Sequence, residues 1–182
     1  MRAGDAGAAA IWDALARVPD PELPFVSVVE LGIVRALERV PEAAGAAAAA
    51  RWRVVVTPTF SGCPATRVIE ADIRAALDAV APGACEVVTR LAPPWSTDAI
   101  APEARRKLAA VGVAPPALRC AAGAPAGAAG GDAPAWRTVP AVACPRCGSA
   151  RTTEVSHFGS TPCKAQFRCD DCLEPFDHFK PH

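Results

Sequence analysis

The sequence predicts a small α+β domain with a three-stranded mixed sheet, joined by a linker to a C-terminal metal module. Three observations carry this. Amphipathic helical stretches alternate with β-branched runs, the first two of which are placed to form a hairpin. Pro115 to about Pro140 is rich in Pro, Ala and Gly, the composition of a flexible connection. The last forty or so residues hold two CxxC pairs, Cys144-Pro-Arg-Cys147 and Cys169-Asp-Asp-Cys172, separated by a strand-like stretch containing Phe. At 182 residues the chain is long enough for one domain and a small module. The expected boundaries are 8–114 for the domain, 115–140 for the linker and 141–182 for the module.

Residues from about Ala8 to Val18 read as a short helix, with Ile11, Leu15 and Val18 on one face. Pro19-Asp20-Pro21-Glu22 ends it. The run Val26 to Val34, broken by Gly32, reads as an extended segment, a turn and a strand that continues through Val40. The alanine-rich stretch Pro41 to Ala50 reads as the hairpin loop, and Arg51 to Thr57 as the partner strand. A loop, Pro58 to Pro64, leads into a second helix. Its apolar face is Val68, Ile69, Ile73, Ala76, Leu77 and Val80, and Pro82-Gly83 stops it. Cys85 to Leu91 is a third strand. Pro102 to Val111 is the last helix, with Pro102 suited to its first turn.

Each CxxC pair can present two thiolates from a tight turn. Two such turns facing each other make the tetrahedral four-sulfur site of a zinc ribbon, a geometry that suits Zn²⁺. Gly148 follows the first pair where the backbone must turn away from the metal. Zinc is the expected structural ion; iron in the same four sulfurs is the alternative metal. A redox-active thiol pair or a disulfide framework is the metal-free alternative. A closed four-ligand site has no open position, so chemistry must come from elsewhere.

Outside the ribbon, Cys63 stands out. Pro64 fits the first position of the second helix, which puts Cys63 near the N-cap, where the helix dipole and unpaired N–H groups favour thiolate. A buried, inert cysteine is the plain alternative; Cys85 and Cys120 take that reading. Asp20 and Glu22 bracket Pro21 and could bind a hard cation or do acid–base work, or only turn the chain. Cys163 is a further ligand, a second thiol or ribbon packing. His178 and His182 are spaced as a metal pair, with a solvated tail as the alternative. Phe158, Phe167, Phe176 and Phe179 are expected to form the ribbon core, and His157 to lie at its surface or in its packing.

The net charge is zero. The chain therefore lacks the basic field that drives nucleic-acid binding, and the Lys164 and Arg168 patch is thin. No window approaches a membrane span, and no membrane partner is expected. The N-terminal stretch has no signal-peptide core. Eight cysteines without an export signal argue for reduced thiols and metal in the cytoplasm.

Asp20-Pro-Glu22, Val29-Glu-Leu-Gly-Ile-Val34 and Thr57-Pro-Thr59-Phe-Ser-Gly-Cys63-Pro64 together resemble the iron–sulfur-assembly domain of SufT-like proteins. Pro93-Pro-Trp-Ser-Thr-Asp98, Gly112 to Pro116, Phe158-Gly-Ser-Thr-Pro-Cys-Lys-Ala165 and Glu174-Pro-Phe-Asp177 add a more specific likeness. With them the chain resembles the PaaD (PaaJ) family of phenylacetyl-CoA epoxidase systems over nearly its whole length. The resemblance implies a non-catalytic accessory role in aerobic phenylacetate degradation. The epoxidase is a multicomponent di-iron oxygenase whose reductase carries a flavin and an iron–sulfur cluster. By resemblance, Cys63 is the functional thiol that holds or transfers iron or a cluster, with Asp20, Glu22 and Thr59 lining the same loops. Implied partners are the epoxidase catalytic subunits, the reductase, or a second copy of the chain. A stoichiometric oxygenase subunit and a nucleic-acid-binding ribbon protein are the alternatives. The chain departs from relatives at Ala99, where they tend to carry an aromatic residue, which implies a more open pocket edge. It departs again in its tail, which lacks their cysteine.

Overall fold

The computed structural model describes residues 3–40, 51–60, 62–117 and 142–181. The alanine-rich stretch 41–50, most of the expected linker, Cys120 and His182 lie outside the described residues. The chain divides into two compact units, 1–107 and 108–182.

In the first unit, α1 (Ala3–Leu15) is followed by β1 (Val34–Val40), β2 (Arg51–Val56), α2 (Thr66–Val80) and β3 (Cys85–Thr89). The sheet order is β1-β2-β3, antiparallel between the first pair and parallel between the second. That is the mixed sheet the alternation of elements predicts. A parallel neighbour requires a crossover, and α2 supplies it. The helix packs against both α1 and β3. Its buried stripe is Ile69, Ile73 and Leu77, four residues apart. This is narrower than the periodicity suggests, because Val68 and Val80 are exposed. With Ile11, Leu15, Val54 and Val28 these residues form the core. On the strands, Glu38, Arg53 and Glu86 stand in one cross-strand row, and Arg90 grips Glu38 with both terminal nitrogens at 2.7 and 3.0 Å. Such exposed pairs add little stability but disfavour a slipped register.

The segment between α1 and β1 departs from the sequence expectation. Residues 27–32 are not extended but make one capped helical turn. Ser27 N–H donates to Glu30 Oε2 at 2.9 Å, and Glu30 N–H donates back to Ser27 Oγ at 3.2 Å. This is the reciprocal pairing of a capping box. At the other end Gly32 N–H reaches Val29 O and Ile33 N–H reaches Val28 O, both at 2.9 Å, with Gly32 at φ 68°. That pattern is a Schellman stop. The two carbonyls left over at the end of the turn are filled from a distant loop. Trp95 Nε1 donates to Leu31 O at 2.9 Å, and Ala101 N–H donates to Glu30 O at 2.8 Å. Lys107 also reaches Glu30, at 2.7 Å. Although burial opposes ionisation, Lys107 and the Ser27 N–H hold the Glu30 carboxyl below its ordinary range.

In the second unit, β4 (Val113–Ala114), β5 (Thr152–Ser156), β6 (Lys164–Cys169) and β7 (Pro175–Phe179) form one sheet in the order β4-β7-β6-β5. The helix α3 (Pro102–Ala110) precedes β4. The short strand β4 pairs in parallel with β7, and Ala114 joins Val142, Cys144, Ala165, Phe167, Cys169 and Phe176 in a single buried cluster.

Two expectations for this unit need correction. Phe158 is not in the core; it is 67% exposed, whereas Phe167, Phe176 and Phe179 are buried. His178 is not in a solvated tail. It is buried in β7, with Nδ1 3.1 Å from Ala114 O and its ring edge-on to Phe167, and burial pushes its pKa down.

A Cβ built on Gly32 would lie 2.5 Å from Ala99 O and 2.6 Å from Ala99 Cβ. Ala99 therefore packs directly on the backbone of Gly32. Gly32→Ala is expected to destabilise the first unit by about 3 kcal/mol, adding left-handed strain to a backbone clash. Urea unfolding followed through Trp fluorescence checks this; a loss under about 1 kcal/mol contradicts it.

Candidate metal centres

The ribbon knuckles have the same backbone. Cys144 N–H donates to Ser149 O at 2.8 Å and Cys169 N–H donates to Glu174 O at 3.0 Å, each spanning five residues. In both, the residue after the second cysteine has positive φ: Gly148 at 75° and Leu173 at 63°. The four sulfurs of Cys144, Cys147, Cys169 and Cys172 all lie within 4.8 Å of one another. Cys144 and Cys172 sulfurs are 3.7 Å apart, and Cys147 and Cys169 sulfurs 3.6 Å. A tetrahedron with Zn–S bonds of about 2.3 Å has edges of about 3.8 Å, so the donor set fits zinc.

The electrostatics agree with a cation-binding set. Cys169 is drawn down to about 7, first by the Cys172 N–H and then by the Asp171 N–H. Cys172 is pushed up to about 12: the Glu174 N–H favours its thiolate, but burial and the thiols of Cys169, Cys147 and Cys144 outweigh it. Four thiols this close cannot all ionise until a cation joins them. Cys163 is not among them. It sits at the opposite end of β6 from Cys169, about 20 Å away along an extended strand, buried and hydrogen-bonded at 3.1 Å to Thr161 Oγ1.

The other candidate ligands, Asp20, Glu22 and Cys63, are in the first unit. Asp20 is only 8% exposed. Its Oδ1 accepts from the Glu22 and Leu23 N–H groups, both at 2.9 Å, and its own N–H donates to Val26 O. These bonds fold residues 20–26 tightly on themselves. Cys63 lies in the loop from β2 to α2, half-buried, with its N–H on Phe60 O at 3.0 Å. A Cβ on Gly62 would touch the Phe60 ring at 3.0 Å, so glycine lets that ring fold back over the loop. Thr59 is half-buried in the same loop.

The structure brings Cys63 into the field of Asp20 and Glu22, and it reverses the expected thiol chemistry. Burial, then the Glu22 and Asp20 carboxylates, push the Cys63 thiol up, against the pull of the Ala65 N–H and the Thr66 hydroxyl. The dipole argument overestimates because α2 begins at Thr66, three residues after the cysteine, and dipole effects fade within a turn. Thr66 was missed from sequence. Its Oγ1 donates to Cys63 O at 2.9 Å and locks the loop onto the helix. A threonine at a helix start three residues after a cysteine was the available signal.

Cys85 is half-buried, with its thiol pushed up by burial and then by Asp78. No helix among the described residues is long and apolar enough to cross a membrane.

Residues 8–89 match the family described as iron–sulfur cluster assembly protein. Residues 133–180 match the PaaD zinc β-ribbon domain. Over 171 residues the chain is 42% identical to the D component of the putative 1,2-phenylacetyl-CoA epoxidase of Escherichia coli K12, covering 93% of this chain and 90% of that protein. Among solved structures it is similar to a domain of unknown function from Bacillus anthracis, at 27% identity and TM-score 0.48, covering 57% of this chain and 92% of the other. It is also similar to a Mycobacterium tuberculosis protein associated with iron–sulfur complex assembly and repair. That match has 32% identity and TM-score 0.34, covering 57% of this chain and 84% of the other.

Two outcomes follow. Residue-resolved alkylation of Cys63 against pH should show a midpoint above the ordinary thiol value of about 8.5. Glu22→Gln and Asp20→Asn should each lower it; an unchanged midpoint would put the carboxylates out of reach. Cys169→Ser should abolish zinc binding and unfold the second unit, since structural zinc supplies about 10–16 kcal/mol of apparent binding free energy in such modules. Amide exchange should meanwhile stay slow at Val54 and Ile73. A folded ribbon after chelation contradicts this.

Proposed function

Because the chain belongs to the PaaD family of phenylacetyl-CoA epoxidase components, we propose that it is an accessory factor that matures or maintains an iron centre of such an epoxidase, with Cys63 as the thiol that takes the metal. The observation that supports this reading is that the half-buried Cys63 thiol lies within electrostatic reach of the Glu22 and Asp20 carboxylates. Two negative groups beside a half-buried thiol disfavour thiolate when no cation is near. An arriving iron ion reverses the balance, since it binds sulfur and carboxylate together and releases the thiol proton to water. Thr59 borders the same loop and is assigned to orienting the metal.

One thiol and two carboxylates do not complete the four-thiolate set of a typical cluster. The remaining ligands come from the recipient or from a second copy, so the arrangement suits transfer rather than storage. The ribbon zinc has no open position and takes no part in that step. On this reading the protein works in the cytoplasm, where its thiols stay reduced. The description of its relative as one of the epoxidase's own subunits supports a second reading, a stoichiometric, non-catalytic component of the oxygenase.

The test is the iron content of the oxygenase and its reductase, purified from cells with and without this chain. Iron-depleted enzyme in the deletion, restored by wild type but not by Cys63→Ser, is the expected result, and the depleted component identifies the centre served. Fully metallated, inactive enzyme would select the stoichiometric-component reading.

A further inference from the structure

Phe158 is a large aromatic side chain that the fold does not use. Three other ribbon phenylalanines are buried, while Phe158 stands 67% exposed directly after β5. Yet it is held firmly. The Lys180 ammonium lies 4.5 Å from its ring centroid and donates to His157 O at 3.1 Å. The His157 ring meets it edge-on at 5.2 Å, and His157 Nδ1 is 3.2 Å from Glu154 Oε1. An exposed aromatic clamped on two sides loses little entropy when a partner covers it, the property of an interface anchor.

The charge pattern limits what can cover this knob. Among the described residues Lys180 meets no carboxylate, so after the ring and the His157 carbonyl one ammonium proton remains for an outside acceptor. We propose that Phe158 and Lys180 form the docking knob by which this chain engages the assembled oxygenase, inserting the ring into an apolar pocket rimmed by a carboxylate. The identity of that partner rests on the function proposed above; the knob rests on the geometry. A nucleic-acid stacking platform fits less well, because the ammonium already covers one ring face that a base would need.

The full-length, zinc-loaded chain should be titrated against the assembled oxygenase at two salt concentrations. Phe158→Ser should weaken binding at least thirtyfold, and Phe158→Trp, which keeps the cation–π contact, should stay within threefold of wild type. Lys180→Gln should weaken it about tenfold and flatten the salt dependence. Zinc stoichiometry and melting temperature of each variant show that the ribbon is intact. Wild-type affinity in a folded Phe158→Ser protein overturns the proposal. So does absent wild-type binding, or Lys180-dependent binding to RNA alone. The two readings separate cleanly. Phe158-dependent binding with iron content unchanged by deletion of the chain keeps the knob and removes the maturation role. Iron delivery that is indifferent to Phe158→Ser does the reverse.

Discussion

The capped turn at Ser27–Gly32 is the constraint on which the first unit depends. It is too short to be stable alone, since one helical turn cannot repay its own nucleation. Its open groups are met partly within the turn and partly by residues distant in sequence. Ser27 and Glu30 close its start, Gly32 closes its end, and Trp95, Ala101 and Lys107 take up the rest. The turn therefore binds the segment after β3 to the segment before β1. Without it, the Trp95 indole N–H and the Ala101 backbone N–H would lose their acceptors, each buried donor left unpaired costing about 1–3 kcal/mol.

The same turn sets up the thiol centre. Val28 N–H bonds to Val18 O, and Pro19 bridges to Ser27, so the chain between them is forced into a closed loop. Asp20 stabilises that loop by accepting two backbone N–H groups with one oxygen. Rigidity on this side and the Thr66 bond on the other hold carboxylates and thiol in a fixed relation. A site that accepts and releases a metal, as proposed for Cys63, needs modest affinity and a defined geometry. Electrostatic opposition to thiolate lowers affinity without loosening that geometry.

What the sequence revealed follows from how local each signal is. The four-sulfur site was legible because a CxxC turn specifies its own shape, and Gly148 was read as the residue that lets it turn. Leu173 fills the equivalent place at φ 63° and gave no signal, since leucine does not advertise that backbone. Val26 to Val34 read as extended because β-branched residues dominate it. The Ser27-x-x-Glu30 and Gly32 pattern marked a capped turn, and tertiary bonds made that pattern win. The Cys63 environment failed for a different reason. The helix dipole is a local inference, while the opposing carboxylates arrive from forty residues away. Phe158 was assigned to the core on hydrophobicity alone, and it falls in the connection between β5 and β6, where no strand period places a side chain inside or out.

The pairing of β4 with β7 has a consequence for the chain around it. Ala114 and Val142 belong to one buried cluster, so two stretches far apart in sequence meet in one core. The cost of connecting two such fixed points grows only by about 0.6 kcal/mol for each doubling of the length of the connection. The length of the connection is therefore nearly free to drift, and a protease cut within it would leave two polypeptides still joined by the β4–β7 pairing and the shared core. It is a natural place to open new chain ends or to insert a reporter domain.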